Sequence, residues 1–264
     1  MSTPQSALRS ALTIQLRVMH ALMMREVITR FGRENLGVLW LIGEPMIFTV
    51  GVASIWAALK MHHDSPIPIV AFAVTGYSSV LMWRNSTSRA SAAILDNRPL
   101  LFHRRVRVFD VLLTRVLLEA MGATGSFFVL SCTFMFIGWM PLPQDPLQVV
   151  GGWLMLAWLT FGLATLVGSA SALSEVVERL WHPISYLLFP LSGAAFMVAW
   201  LPEGFQQTVL YVPMVHGTEI IREGWFGDVV PAHHDVKYMA ACCLVLSFAG
   251  ICSVHYTSRH VKHH

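Results

Sequence analysis

The sequence predicts an all-α integral membrane protein: six transmembrane helices, an N-terminal amphipathic interfacial helix and a re-entrant hairpin before the last span. Three observations carry that prediction. Of 264 residues, 55% are hydrophobic and only 12% are charged, about half the share of an ordinary soluble domain. The charges cluster between apolar runs, each close to the ~20 residues needed to cross a hydrocarbon core. Finally, 15 of the 18 lysines and arginines fall on one side if successive runs each cross a membrane. This composition excludes a disordered chain, a coiled coil and a disulfide-stapled secreted domain. Cys132, Cys242, Cys243 and Cys252 lie inside apolar runs without a CxxC spacing, which argues against a metal centre or a redox pair. The net charge of +3 offers no footprint for nucleic acid.

The elements follow in chain order. Residues 7–24 form a helix with Leu8, Ala11, Leu12, Leu16, Val18, Met19, Leu22 and Met23 on one face and Arg9, Arg17 and His20 opposite. Such a helix lies in the membrane interface, and Gln15 is its one misfit. The spans are 37–59, broken only by Glu44, then 65–83, 110–137, 148–174, 180–201 and 238–258. Arg9, Arg17, Arg25, Arg30 and Arg33 interrupt the first 34 residues, so no cleavable signal peptide is expected. The lysine and arginine bias places both termini in the cytoplasm. Trp40, Trp56, Trp83, Trp139, Trp181 and Trp200 mark span ends as an interfacial belt. Residues 204–227 are too apolar for a solvated loop and too broken, by Gly204, Pro213, Gly217 and Gly224, for a full span. Irregular backbone of that kind survives at membrane depth only against protein or a wet cavity, so the segment is a re-entrant hairpin and a pathway candidate.

No phosphate-binding G-x-x-x-x-G-K-[ST] loop is present, and no H-E-x-x-H or G-x-G-x-x-G. The chain therefore carries no nucleotide site of its own and no catalytic or metal residues are assigned. Gly76-Tyr77-Ser78-Ser79 and Gly168-Ser169-Ala170-Ser171 lack the second glycine of an intramembrane protease turn and read as close helix packing. His233-His234 and the terminal histidines read as inert.

Three motifs then point to one family. Arg25-Glu26…Arg30-Phe31-Gly32…Leu36-Gly37…Trp40…Glu44-Pro45 resembles the opening of ABC-2-type polysaccharide exporter permeases, above all the capsular-polysaccharide export subunits of Gram-negative bacteria. Ile94-Leu95-Asp96-Asn97-Arg98-Pro99-Leu100-Leu101-Phe102, followed by Asp110, is similar to their cytoplasmic segment. Pro213-Met214-Val215-His216…Glu219…Arg222-Glu223 is similar to their hairpin motif, with Val212 where the family has asparagine.

The resemblance implies a homodimeric permease driven by two separate ATPase subunits, which hold the ATP and Mg. The cargo it implies is a lipid-linked acidic polysaccharide, passed at the inner membrane to a periplasmic co-polymerase or adaptor and an outer-membrane polysaccharide exporter. An O-antigen or teichoic-acid exporter permease is the alternative, and an intramembrane hydrolase or acyltransferase the outsider. On this reading Arg30 and Arg33 clamp anionic groups where the cargo enters. Glu44 either serves the same pathway or pairs with one of those arginines. Trp158, in mid-span, offers a face to a sugar ring or packs against lipid or a second subunit. Phe205, Tyr211, Trp225 and Phe226 line the exit. Asn97, Pro99, Leu100, Leu101, Phe102 and Arg104 engage the ATPase through a short helix within 96–110. Pro213, His216, Glu219 and Arg222 shape the hairpin, with the charges of Glu219, Arg222 and Glu223 paired to one another or to the other subunit.

Overall fold

A computed structural model describes residues 4–31, 37–59, 66–101, 106–229 and 231–260, and among them there is no strand. Among the described residues four helices are long and apolar enough to cross a membrane: Leu39–Ala58, Val108–Ile137, Pro146–Leu173 and Val236–His260. They belong to α2 (Gly37–Ala58), α5 (Val108–Ile137), α6 (Pro146–Leu173) and α10 (Val236–His260), each within two residues of its expected bounds. The remaining helices are α1 (Pro4–Phe31), α3 (Ile69–Asp96), α4 (Arg98–Leu101), α7 (Glu175–Leu191), α8 (Glu203–Val209) and α9 (Pro213–Phe226).

Local chemistry sets the helix ends. Asp145 accepts the backbone N–H groups of Leu147 and Gln148, both at 3.0 Å, and Pro146 starts α6 where no N–H is needed. Gly138 closes α5 in the left-handed region, φ 86°, its N–H turned back on the Met135 carbonyl at 3.1 Å. Asp235 caps α10 by accepting from Lys237 N at 2.8 Å and Tyr238 N at 3.1 Å. The Tyr238 N–H holds that carboxyl below its ordinary range, with the Lys237 N–H adding to it.

Two expected spans take different bounds. Residues 65–83 form only part of α3, which runs on for 13 residues past the expected end of the span, through Arg84–Asp96. Hydropathy falls after Trp83, but Ser86, Thr87, Ala90, Ser91, Ala93 and Ile94 recur at helical spacing and are all buried. The expected helix 180–201 is instead 175–191, followed by a turn and a 3-10 segment at Val198–Trp200. Pro190 weakens its last turn, and Gly193 at φ 82° turns the chain out of it. The helix expected over residues 7–24 is longer, Pro4–Phe31, and residues 13–29 of it have described side chains. The tryptophan belt is only partly at the surface. Trp40 and Trp139 are exposed, whereas Trp56, Trp83 and Trp181 are buried.

α6 is the hub, packed against α3, α9 and α10. Glycines permit this. A Cβ on Gly168 would stand 2.7 Å from the Ala90 carbonyl oxygen of α3, and one on Gly162 would stand 2.8 Å from the Ser247 nitrogen of α10. The Gly168–Ser171 stretch thus packs helices, as expected. α9 has 14 residues, about 21 Å at 1.5 Å each, too short for a ~30 Å hydrocarbon core. It runs antiparallel along α6, with Gly224 beside Val149, Gly152 beside Ile220 and Gly217 beside Leu156.

Candidate functional site

Two polar constellations stand at opposite ends of the bundle. The first lies where α2, α3 and α5 meet α1. Glu44 is 3.2 Å from Arg89 of α3, whose Nε is also 3.7 Å from Glu119 of α5. Arg115 of α5 binds Glu26 of α1 through Nη1 and stands 3.5 Å from Asp96 through Nη2. Arg25 donates to Asn97 Oδ1 at 2.5 Å, and the Gln15 amide donates to Asp110. Arg84 lies 4.3 Å over the ring of Tyr186, held by a cation–π contact. Arg84, Asn85, Ser88, Arg89, Arg115 and His182 help line a cavity of about 410 Å³.

Of the residues expected here, Glu44 pairs with Arg89. Arg33, Phe102 and Arg104 lie outside the described residues, as does the side chain of Arg30. The coupling helix expected within 96–110 is confined to α4 among the described residues. Asn97 is buried and its amide donates to Ala93 O at 2.8 Å, while Pro99 is exposed. Leu101 borders a second, largely apolar cavity of about 340 Å³ between this segment and the end of α10, with Phe109, Ile251 and Val254.

The second constellation centres on α9, in the segment expected to form the hairpin. Arg222 is fully buried. Its Nη1 donates to the carbonyls of Gly193 at 2.7 Å and Phe196 at 2.6 Å, its Nη2 to Ala194 at 2.9 Å, and its guanidinium lies 3.9 Å over the Phe72 ring. Glu219 accepts from the backbone nitrogens of Val198 at 3.3 Å and His233 at 3.1 Å. These two charges, expected to serve one another or a second subunit, staple the irregular backbone after α7 and the loop before α10. An irregular segment has no ladder of its own, so buried side chains must satisfy its polar groups. Gly76 leaves the room, because a Cβ there would come within 2.4 Å of Arg222 Nη2. His216 bridges the Leu210 carbonyl at 2.8 Å and the Asp235 N–H at 2.9 Å, and Glu223 holds Gln148 and His234. Val212 caps α9 without a side-chain bond, and Pro213 supplies the start.

The four aromatics expected to line the exit divide. Phe205 and Tyr211 are 65% and 75% exposed, whereas Trp225 and Phe226 belong to the core. Trp225 donates to Pro141 O at 2.9 Å, and Gly224 O accepts from Asp145 N at 2.8 Å, docking the end of α9 on the α5–α6 turn. Trp225 and Phe226 thus pack inside this subunit. Trp158 donates to Ser247 of α10 at 3.1 Å, which ties it to that helix pair.

Residues 17–226, from α1 to the end of α9, match a family model described as ABC-2 type transporter. The chain belongs to the ABC-2 type transporter family. This ABC-2 subunit is 42% identical over 252 residues to the capsule polysaccharide export inner-membrane protein CtrC of Neisseria meningitidis serogroup A, covering 96% of this chain and 95% of that one. It is 37% identical over 258 residues to the capsule polysaccharide export inner-membrane protein BexB of Haemophilus influenzae, covering 98% and 97%. It is 29% identical over 255 residues to the polysialic acid transport protein KpsM of Escherichia coli, covering 92% and 94%. Sequence reasoning missed the ties from Gln15, Arg25 and Glu26 to α3 and α5. The one signal was Gln15, a polar residue on the apolar face of α1.

Proposed function

We propose that this ABC-2 subunit exports lipid-linked acidic capsular polysaccharide across the bacterial inner membrane, as a homodimer powered by two separate ATPase subunits that bind ATP and Mg. The near full-length similarity to capsule export proteins of two genera carries this reading. α2, α3, α5, α6, α7 and α10 are the six crossings, and both termini face the cytoplasm, as the lysine and arginine bias requires. The arginine-rich end receives the cargo from the inner leaflet, and the segment around α4 takes the ATPase stroke.

The α8–α9 hairpin re-enters from the periplasmic side. Supporting this, Gly217 lies against Leu156, ten residues into α6 and so about 15 Å below its start. Phe205 and Tyr211, rather than Trp225 and Phe226, then present aromatic faces to passing sugars. Stacking there is weak enough to permit movement. A periplasmic co-polymerase or adaptor and an outer-membrane exporter take the polymer onward.

The deciding experiment is complementation of a strain lacking its own capsule permease, with the matching ATPase co-expressed. Surface capsule is expected. Surface O-antigen restored in an O-antigen export mutant, with no capsule in the first strain, overturns the capsule assignment. For coupling, Leu101→Asp with Phe102→Asp is expected to abolish ATPase co-purification while the subunit itself stays monodisperse; an intact complex with normal stimulated turnover refutes it. For the exit path, Phe205→Ala with Tyr211→Ala is expected to slow export about tenfold, as loss of two stacking contacts of ~0.7 kcal/mol each predicts. Unchanged export excludes both rings from the route.

A further inference from the structure

α10 is drawn tightly against α6, since a Cβ on Gly250 would stand 3.0 Å from the Gly162 carbonyl oxygen. It meets α5 only briefly, which leaves a wedge where α5 starts at Val108 and α10 ends at His260. That wedge is the cavity of about 340 Å³. Phe109, Ile251 and Val254 give it apolar walls, and Arg107 and His255 add polar groups at its edge. His255 and Arg259 are one turn apart on α10, so they share a face. No Asp or Glu lines this cavity among the described residues. Asp110, in the first turn of α5, is fully buried and occupied by the Arg107 N–H and the Gln15 amide. The larger cavity differs, because Arg89 and Arg115 there are already paired with Glu44, Glu119, Glu26 and Asp96.

Ile251 borders the cavity and is 51% exposed, so the cavity opens on the outside of the bundle. Phe248 and Leu244, three and seven residues earlier, continue the same face of α10 and are also exposed. The three make an apolar track about 10 Å long, running from the cavity toward the middle of α10. Water does not fill such a space well, because a buried water needs two or more polar partners. The chemistry that fits is an apolar chain along the track and an anion at the basic edge. Arg107 can grip a phosphate with two parallel N–H bonds.

We propose that this wedge binds an anionic phospholipid of the inner leaflet. One acyl chain lies in the cavity and along Ile251, Phe248 and Leu244, with the phosphate at Arg107 and His255. The choice of leaflet rests on the orientation proposed above, which puts this end of α5 and α10 in the cytoplasm, where anionic lipid and basic side chains attract. The occupant is a resident lipid and not the anchor of the cargo. The arginine-rich entrance cavity is walled by α3, α5 and α7, and α10 contributes nothing to it among the described residues.

The test uses the purified permease–ATPase complex, stripped of lipid in a neutral detergent. It is offered equal phosphatidylglycerol and phosphatidylcholine and weighed by native mass spectrometry. One phosphatidylglycerol per permease subunit is expected to survive activation that removes phosphatidylcholine. Ile251→Trp, which plugs the mouth from an exposed position, should abolish that adduct. Arg107→Gln should weaken it about tenfold, as loss of one charge-assisted contact predicts. Equal retention of the two lipids, or full retention in an assembled complex of either variant, overturns the site. Displacement of phosphatidylglycerol by lipid-linked polysaccharide makes the wedge a cargo site and overturns the resident lipid. Orientation is read separately from Arg259→Cys in a chain without its native cysteines. A membrane-impermeant thiol reagent should label it only after spheroplasts are lysed. Labelling of intact spheroplasts would overturn the orientation, and the inner leaflet with it, while the lipid count still decides the site.

Discussion

Replacing Arg222 with leucine is expected to destabilise the purified subunit by about 3–5 kcal/mol, the cost of breaking a buried charge network by removing one partner. Three carbonyls, Gly193, Ala194 and Phe196, lose the donors that the fully buried Arg222 supplies. Glu219, 1% exposed, loses its nearby positive charge. Arg222→Lys should restore little, because a single ammonium cannot reproduce the planar fork that serves three carbonyls while stacking on Phe72. The measurement is thermal unfolding in detergent, with a midpoint drop of roughly 10 °C for a chain of this size. An unchanged midpoint would show that the irregular backbone after α7 holds its shape without the staple.

A methyl group at Gly168 is the second large effect. The new Cβ would meet Leu112 Cδ2 at 2.5 Å and the Ala90 carbonyl oxygen at 2.7 Å. Leu112 can turn aside, but the carbonyl is helix backbone, so α3 must shift away from α6. Overpacking of this kind costs about 1–3 kcal/mol. It should also disturb export, because α3 carries Arg84 and Arg89. Gly51→Ala is the control. It has nothing within 4 Å of the added carbon, and in a helix interior alanine is preferred to glycine by roughly 0.5–1 kcal/mol. Unfolding curves of the two variants should therefore move in opposite directions. Equal destabilisation would mean that helix propensity, and not the α3–α6 approach, governs these sites.

Particular residues show what was legible along the chain. α5 and α6 could be bounded because apolar runs there end on residues with strong terminal preferences, Gly138, Asp145 and Pro146. α3 was cut short because its second half trades hydropathy for serine, threonine and alanine, which pack as tightly as leucine where two helices touch. α7 was overrun because the apolar run continues past Leu191, and hydropathy does not register a turn whose carbonyls are satisfied by a side chain 28 residues later. The hairpin aromatics make the same point. Phe205 and Trp225 sit in one apolar segment, but only Trp225 lies against the α5–α6 turn.

Composition, charge placement and three short motifs were sufficient to determine the all-helical membrane class and the family. Each depends on properties summed along a segment: hydropathy over ~20 residues, charge per loop, residue types at fixed spacing. The tertiary structure alone decided the partners of the charges. Glu44 meets Arg89 across 45 residues, Gln15 meets Asp110 across 95, and Arg222, beside Glu219, also donates to backbone carbonyls 26 to 29 residues away. A charge takes whichever counter-group the packing brings within about 4 Å, and that choice is made by helix crossings that no local pattern encodes.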